Sequence, residues 1–259
     1  LGVVFQLLLA NRQCDVLLDS GIIQKSSAGD PVLTLPAKIK RKLLGVTCRV
    51  IAVSVGATEF RLSHGIPVAV DPALLDRAAQ IALVEAIRGV VQIAPLFSPM
   101  TPYGKPMRVR MTSAGRFGWV SDRSGYRYSE QHPKGMAWPD IPPPVLDVWT
   151  QVSGSLRTPE CCLMNFYGED ARMGMHQDRD EGDFSEPVVS ISLGDDGLFR
   201  IGNEARGGTT ESIWLASGDV VVMGGAARLT YHGVDKIRFG SSTLLTKGGR
   251  LNLTLRVVT

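Results

Sequence analysis

Residues 250–256 read Arg-Leu-Asn-Leu-Thr-Leu-Arg, so polar and leucine side chains alternate strictly along this segment. Successive side chains of a β-strand point to opposite faces, which places the leucines on one face and the polar residues on the other. The leucine face predicts contact with a hydrophobic core. The polar face belongs either to an edge strand in water or to the wall of a polar site. Its members are Arg250, Asn252, Thr254 and Arg256.

Further candidate strands of five to eight residues lie upstream, separated by turns that contain Gly, Asp and Asn. They span residues 161–167, 187–193, 197–202, 212–216, 219–223, 228–232 and 241–246, with 250–258 as the last strand. So many short strands in close succession predict an α+β chain that is mostly β, folded as a double-stranded β-helix (jelly roll). The mouth of such a fold can hold a small site.

Two helices are predicted on the N-terminal side of these strands. The first is expected to begin with Asp71 as N-cap and Pro72 in its first turn, and to end at Gly89. Its apolar stripe consists of Leu74, Leu75, Ala78, Ile81, Ala82 and Leu83. The second helix follows three prolines, residues 142–144, and is expected to stop at Gly154. Its inward-facing residues are Val145, Val148, Trp149 and Val152.

The net charge of +3 comes from residues 1–60, which hold seven Lys/Arg and four Asp/Glu, and the rest of the chain is balanced. A polyanion would therefore have to be bound by a local basic patch. No apolar run reaches the roughly 18 residues that span a bilayer, so no membrane partner is expected. Adjacent Cys161 and Cys162 cannot plausibly bridge each other. Free thiols and a cytoplasmic location are the expectation.

His176-Gln177-Asp178 and the distant His232 form a candidate metal site. Residues two apart in extended chain share a face, so His176 and Asp178 can bind one ion together, and His232 would add a third ligand from the end of strand 228–232. Two histidines and one carboxylate suit Fe(II) and leave three coordination positions open. An H-x-D pattern alone is a weak signal, because a lone histidine is more often structural.

The polar face of the last strand strengthens the metal hypothesis. Arg250 and Arg256 would share that face, and a guanidinium binds a carboxylate through two parallel hydrogen bonds, which suits a dicarboxylic acid. Asn165 and Tyr167 share a face of strand 161–167 and can donate hydrogen bonds to the same acid.

Residues 93–258 resemble the AlkB family of iron- and 2-oxoglutarate-dependent DNA-repair dioxygenases, most closely its bacterial branch. The resemblance is carried by motifs that occur in order along the chain. They are Gly118-Trp119, Gly125-Tyr126-Arg-Tyr128-Ser129, Asn165-Phe-Tyr167, His176-Gln-Asp178-Arg-Asp180-Glu181, Gly218-Asp219-Val-Val-Val-Met-Gly-Gly225, Arg228-Leu-Thr-Tyr-His232-Gly233 and Arg250-Leu-Asn252-Leu-Thr254-Leu-Arg256.

The resemblance implies that His176, Asp178 and His232 bind Fe(II), and that 2-oxoglutarate and O2 are the cosubstrates. It implies that Arg250 pairs with the distal carboxylate of 2-oxoglutarate. The remainder of the cosubstrate would be surrounded by Asn165, Tyr167, Asn252 and Arg256. The implied organisation is an N-terminal extension of unknown role over residues 1–60 and a dioxygenase domain over 61–259, in which residues 93–141 form a nucleotide-recognition lid.

The implied reaction is oxidative demethylation of 1-methyladenine and 3-methylcytosine in alkylated DNA, a direct-reversal repair that releases formaldehyde, succinate and CO2. A base must leave the duplex to reach such a site, and Trp119 and Tyr126 are the candidates that stack on it. Their alternative role is core packing of a hairpin. Asp180 and Glu181 are the candidate carboxylates for a cationic base, although both also fit a solvated acidic turn. Lid arginines that can contact phosphates are Arg110, Arg116, Arg123 and Arg127.

Three other functions remain open at this point. The same iron chemistry can act on methylated RNA or on a protein side chain, and a jelly roll can bind a ligand without catalysis. A zinc hydrolase is a further alternative, but it gives no role to Arg250 and Arg256. A monomer is expected.

Overall fold

The computed structural model describes the side chains of residues 68–259, except Pro102, and describes only strand backbone among residues 1–67. The chain divides into two compact units, Leu1–Val55 and Gly56–Thr259. Cys48 and His64 lie outside the described residues, and of Cys14 only the strand backbone is described.

Five strands are described in the first unit. They are β1 (Val3–Leu9), β2 (Arg12–Leu18), β3 (Ile22–Lys25), β4 (Pro31–Thr34) and β5 (Arg49–Ile51). β1 lies between β2 and β5 in an antiparallel sheet, and β3 pairs with β4 as a separate antiparallel pair.

The described residues of the second unit form two larger antiparallel sheets. The strands described in this unit are β6 (Thr58–Arg61), β7 (Pro67–Asp71), β8 (Arg110–Gly115), β9 (Gly118–Asp122), β10 (Gly125–Ser129), β11 (Cys161–Tyr167), β12 (Met173–His176), β13 (Val188–Gly194), β14 (Asp196–Ile201), β15 (Glu211–Leu215), β16 (Val220–Met223), β17 (His232–Arg238) and β18 (Arg250–Arg256). One sheet has the order β6-β7-β16-β13-β18-β11-β8, and the other has the order β12-β17-β14-β15. β9 and β10 form a separate hairpin. These two sheets confirm the predicted jelly roll.

The seven-stranded sheet buries both of its faces. The leucines of β18 join an apolar cluster with two helices, α1 (Arg77–Ile93) and α2 (Pro143–Val152). The opposite face contributes Leu163 and Val221 to a second cluster that includes Phe199 of β14 and Val234 of β17. The helices therefore cover one side of the large sheet, and the small sheet covers the other. A polar face on β18 must then lie between the two sheets, not in water.

The second helix is confirmed, and the first is shifted. The N-cap of the first helix is Asp76, whose side chain accepts a hydrogen bond from the Ala79 amide at 2.8 Å. This helix continues past Gly89 to Ile93. The expected N-cap, Asp71, instead ends β7. The buried residues of α1 are Gln80, Leu83, Val84, Ile87 and Val90. Of the predicted stripe, Ala78, Ile81 and Ala82 are exposed, because they lie on the face of α1 opposite its buried residues.

Two predicted strands are wrong. Residues 228–232 do not form a strand: a 3-10 turn, Gly225–Ala227, precedes Arg228, and His232 begins β17 where it was expected to end a strand. Residues 241–246 form a loop, because the buried carboxylate of Asp195 accepts hydrogen bonds from the backbone amides of Gly240, Ser242 and Gly249. No helix in the described part of the chain is long and apolar enough to cross a membrane.

Candidate metal centre

A cavity of about 380 Å³ lies between the two sheets, and its lining includes every polar residue of β18. The leucines of β18 point the other way, into the cluster beneath the helices. Of the two predicted environments for the polar face of residues 250–256, water or a polar site, the structure shows the wall of a polar site. The cavity is also lined by His176, Asp178 and His232.

The small sheet brings the two histidines together. His176 ends β12, His232 begins β17, and the register of these antiparallel strands places them directly opposite each other. Their ring centroids are 4.5 Å apart. Asp178 lies two residues beyond the end of β12, with its Oδ1 3.8 Å from Nε2 of His176 and its Oδ2 3.7 Å from Nε2 of His232. One potential ligand atom from each residue lies within 4.8 Å of the others.

Backbone carbonyls fix which imidazole nitrogen faces the site. Nδ1 of His176 lies 2.9 Å from the Gly174 oxygen, and Nδ1 of His232 lies 3.0 Å from the Thr230 oxygen. A carbonyl oxygen only accepts, so each Nδ1 carries the hydrogen and each Nε2 presents its lone pair to the site. Metal-binding histidines in proteins are commonly oriented in this way.

The two carboxylate oxygens of Asp178 have different surroundings. Its Oδ1 lies 2.8 Å from Nη2 of Arg256, whereas its Oδ2 is buried and has no hydrogen-bond partner among the described residues. Burial would raise the pKa of Asp178, but Arg256 and then the two histidines outweigh it and hold that pKa below its usual range. An ionised oxygen beside two imidazole lone pairs fits a divalent cation, and this donor set suits Fe(II).

Burial also acts on His232, which is 6% exposed. It lowers the pKa of His232 to about 4, with a further contribution from His176. A neutral imidazole is the form that binds a metal, so this ligand does not need to lose a proton near neutral pH.

Arg250 is a buried cation at the far end of the same wall. Nη2 donates to Ser192 Oγ at 2.7 Å, and Nη1 donates to the Leu215 and Asp195 carbonyls at 3.1 and 3.3 Å. Its Nε has no partner in the described part of the chain. Burial lowers the pKa of Arg250, but an arginine stays protonated. A buried cation without a carboxylate partner in its hydrogen bonds predicts an anionic ligand.

The other expected cosubstrate residues surround Arg250. β11 and β18 pair Tyr167 with Arg250 and Asn165 with Asn252. Asn165 Oδ1 is buried without a partner among the described residues, while Asn252 Nδ2 donates to Ser190 Oγ at 2.7 Å. Arg256 Nη1 is buried and likewise unpartnered. The cavity thus has a cation at each end and unsatisfied polar atoms between them.

Trp119 and Tyr126 lie at the mouth of the cavity, on the β9–β10 hairpin. Their rings stack, with centroids 5.3 Å apart and planes at 17°, and Tyr126 is 53% exposed. The Trp119 indole N–H donates to Asp180 Oδ2 at 3.1 Å. Three of the residues expected at the substrate therefore meet at one opening.

Glu181 is placed differently from Asp180. Its carboxylate is 1% exposed, lies 3.1 Å from Arg228 and 3.2 Å from Arg256, and accepts a hydrogen bond from the Tyr128 hydroxyl. No sequence pattern distinguishes Arg228 or Tyr128 beyond their places in motifs. Two lid arginines have carboxylate partners: Arg127 contacts Asp122 through two hydrogen bonds, and Arg116 contacts Glu130.

A jelly roll with two histidines and one carboxylate at its mouth defines a class of mononuclear iron oxygenases. Residues 68–256 match the family model described as the 2OG-Fe(II) oxygenase superfamily. The chain is 54% identical over 186 residues to an alpha-ketoglutarate-dependent dioxygenase AlkB homolog from Caulobacter vibrioides, which covers 71% of this chain and 84% of that protein. It therefore belongs to the AlkB family and is an Fe(II)- and 2-oxoglutarate-dependent dioxygenase.

Two further comparisons agree with this assignment. Alpha-ketoglutarate-dependent dioxygenase AlkB from Escherichia coli is 36% identical over 198 residues, which is 73% of this chain and 91% of that protein. The solved structure of OsALKBH1 superposes with a TM-score of 0.65 at 26% identity, covering 78% of this chain and 99% of that one.

Proposed function

We propose that this dioxygenase removes methyl groups from ring nitrogens of nucleobases in alkylated DNA, with 1-methyladenine and 3-methylcytosine as substrates. The observation that carries the proposal is the stacked pair Trp119 and Tyr126 beside the Asp180 carboxylate, at the opening of the cavity that holds the metal ligands. An aromatic surface suits a flat base, and a carboxylate beside it favours a base that carries positive charge.

The residues of the cavity divide into two binding roles. His176, Asp178 and His232 would hold Fe(II) through two Nε2 atoms and Asp178 Oδ2. Arg250 would bind the distal carboxylate of 2-oxoglutarate, and Arg256 would lie near its other end. Asn165 and Asn252 lie between these arginines along the paired strands, and Tyr167 lies opposite Arg250.

When bound, iron and 2-oxoglutarate supply the oxidation of a methyl C–H bond, with succinate and CO2 as the other products. The protein's part is to hold the base so that its methyl group faces the metal ligands. Trp119 and Tyr126 stack on the base, and Asp180 lowers the energy of its positive charge. The hydroxylated methyl group then leaves as formaldehyde: the N–C electron pair returns to the ring nitrogen, and the hydroxyl proton passes to solvent.

A duplex substrate has to expose the damaged base first. Flipping costs a few kcal/mol, and less for a damaged base that pairs poorly. Stacking on the two aromatic rings would offset roughly 1–3 kcal/mol per base. Phosphates would be contacted by arginines of the lid, of which Arg110 and Arg123 have no carboxylate among the ion pairs of the described residues. We further propose that the enzyme acts as a monomer in the cytoplasm.

Formaldehyde and succinate release from matched substrates tests the proposal. The full chain, with Fe(II), ascorbate and 2-oxoglutarate, is given DNA and RNA oligonucleotides with one 1-methyladenine or 3-methylcytosine, their unmethylated versions, and a methylated peptide. We expect equal amounts of formaldehyde and repaired base from methylated DNA. If only the methylated RNA or only the methylated peptide released formaldehyde, that molecule and not DNA would be the substrate. Failure of every oligonucleotide to yield succinate would favour a non-catalytic role. Asp178→Ala is the negative control.

A further inference from the structure

Four charged side chains lie buried together beneath the loop that carries Asp178. They are Asp178, Glu181, Arg228 and Arg256, and each side chain is 7% exposed or less. Two carboxylates and two guanidinium groups give the cluster a net charge of zero. Buried charges are stable only when they are paired and hydrogen-bonded, so the position of each depends on the other three.

Arg228 contacts both ends of the loop. Its Nη1 donates to the Asp178 carbonyl at 2.6 Å, and its Nε donates to the Glu186 carbonyl at 2.9 Å. Its Nη2 donates to Glu181 Oε2 at 3.1 Å. These three bonds use three separate nitrogens of one planar group, an arrangement that a lysine ammonium cannot reproduce. Arg228 therefore fixes the main chain at the metal ligand itself and again eight residues later.

Glu181 closes the cluster into a ring. Its Oε2 meets Arg228, and its Oε1 lies 3.2 Å from Nε of Arg256. Arg256 in turn lies 2.8 Å from Oδ1 of Asp178, whose carbonyl accepts from Arg228. The Tyr128 hydroxyl, from β10 of the lid hairpin, donates to Glu181. Both Glu181 oxygens are thus engaged within the protein, whereas Asp180 is exposed at the opening.

We propose that Arg228 and Glu181 are positioning residues that orient the Asp178 carboxylate and the Arg256 guanidinium before metal and cosubstrate bind. Asp178 then keeps one oxygen on Arg256 and turns the other towards the two imidazoles. This replaces the expectation that Glu181 contacts the base. The inference rests on the proposed roles of Asp178 and Arg256 in iron and 2-oxoglutarate binding.

The experiment measures binding in the absence of nucleic acid. Apoenzyme of the full chain is titrated with Co(II), followed by its visible absorption, and then with 2-oxoglutarate. Glu181→Gln is nearly isosteric and removes one charge. Arg228→Lys keeps the charge but loses the planar group with three nitrogen donors. We expect Co(II) affinity to fall about 10- to 100-fold in both, the range that follows from altering groups that orient a ligand. The bound Co(II) spectrum should also change, because the carboxylate has shifted.

Two further variants keep the result decisive. Tyr128→Phe removes only the hydroxyl that donates to Glu181, and should weaken Co(II) binding several-fold even if a charge variant is too unstable to purify. Asp180→Asn is the matched control, expected to raise the KM for methylated DNA with Co(II) affinity unchanged. The inference is overturned if Glu181→Gln and Tyr128→Phe bind Co(II) and 2-oxoglutarate like the parent, and above all if Glu181→Gln instead raises the KM for DNA. Failure of the parent enzyme on methylated DNA would refute the proposed substrate and leave these binding results standing.

Discussion

Gly197 offers a test of the proposed cosubstrate site through a residue that carries no functional group. It lies in β14, where a Cβ atom would meet Arg250 at 2.8 Å from Nε and at 3.0 Å from Cδ and Cζ. Gly197→Ala therefore requires the guanidinium to move by several tenths of an ångström. Free movement is blocked, because Nη2 and Nη1 are held by Ser192 Oγ at 2.7 Å and the Leu215 carbonyl at 3.1 Å.

The displacement should weaken the bond between Arg250 and the distal carboxylate of 2-oxoglutarate. A hydrogen bond to a charged group contributes about 1.5–3 kcal/mol, and about 1.4 kcal/mol corresponds to a tenfold change in affinity. Loss of one such bond predicts a KM for 2-oxoglutarate about 10- to 150-fold higher. Overpacking should also lower the free energy of unfolding by about 1–3 kcal/mol.

Succinate formation at varied 2-oxoglutarate, with saturating Fe(II) and methylated oligonucleotide, measures this KM. Gly89→Ala is the matched control, since its Cβ would meet nothing within 4 Å on helix α1. That substitution should stabilise the fold by about 0.5–1 kcal/mol and leave the KM unchanged. An unaltered 2-oxoglutarate KM in Gly197→Ala, with normal Co(II) affinity, would refute the assignment of Arg250.

Three other outcomes are expected. His176→Ala or Asp178→Ala should abolish Co(II) binding and turnover, measured by titration and formaldehyde release. His132→Ala should only lower the melting temperature, since His132 contacts the Pro95 carbonyl and the Lys134 amide and does not line the cavity. Co(II) binding by either ligand variant at parental affinity would contradict the metal assignment. Trp119→Ala should reduce oligonucleotide turnover more than cosubstrate consumption without DNA, and equal losses would indicate a purely structural residue. Chelation of the metal should stop succinate formation, and added Fe(II) should restore it; activity that survives chelation would rule out the iron mechanism.

The parts of the fold that the sequence predicts are those whose signals are local. Strict alternation places the residues of β18 on the correct faces, and the predicted strand 161–167 has the bounds of β11. The spacing of His176 and Asp178 predicts their shared site, and the structure places His232 beside them. These patterns depend only on the period of a strand.

The predicted N-cap of α1 is misplaced by five residues, at Asp71 and not at Asp76, although its signal is local. The other failures depend on tertiary contacts. Residues 228–232 have the composition of a strand, but Arg228 is needed in a turn, where its guanidinium reaches carbonyls more than forty residues away. Residues 241–246 become a loop because Asp195 lies about fifty residues upstream. Gly89 does not end helix α1, since one glycine costs only about 1 kcal/mol in a helix anchored by packing. Glu181 reads as part of an acidic turn until the two arginines around it are located in space.

The three candidate metal ligands are oriented by different kinds of group, the main chain for the two histidines and a side chain for Asp178. The imidazoles are aimed by the carbonyls of Gly174 and Thr230, two residues away on the main chain. Every amino acid carries that oxygen, so substitutions at those two positions can preserve the bond. Asp178 instead relies on the side chain of Arg256, which a single codon change can remove. Random mutagenesis should therefore find inactivating substitutions at the residues that orient the Asp178 carboxylate, and few at the residues that orient the two histidines. The acidic ligand is thus the one whose orientation is most sensitive to substitution of its neighbours.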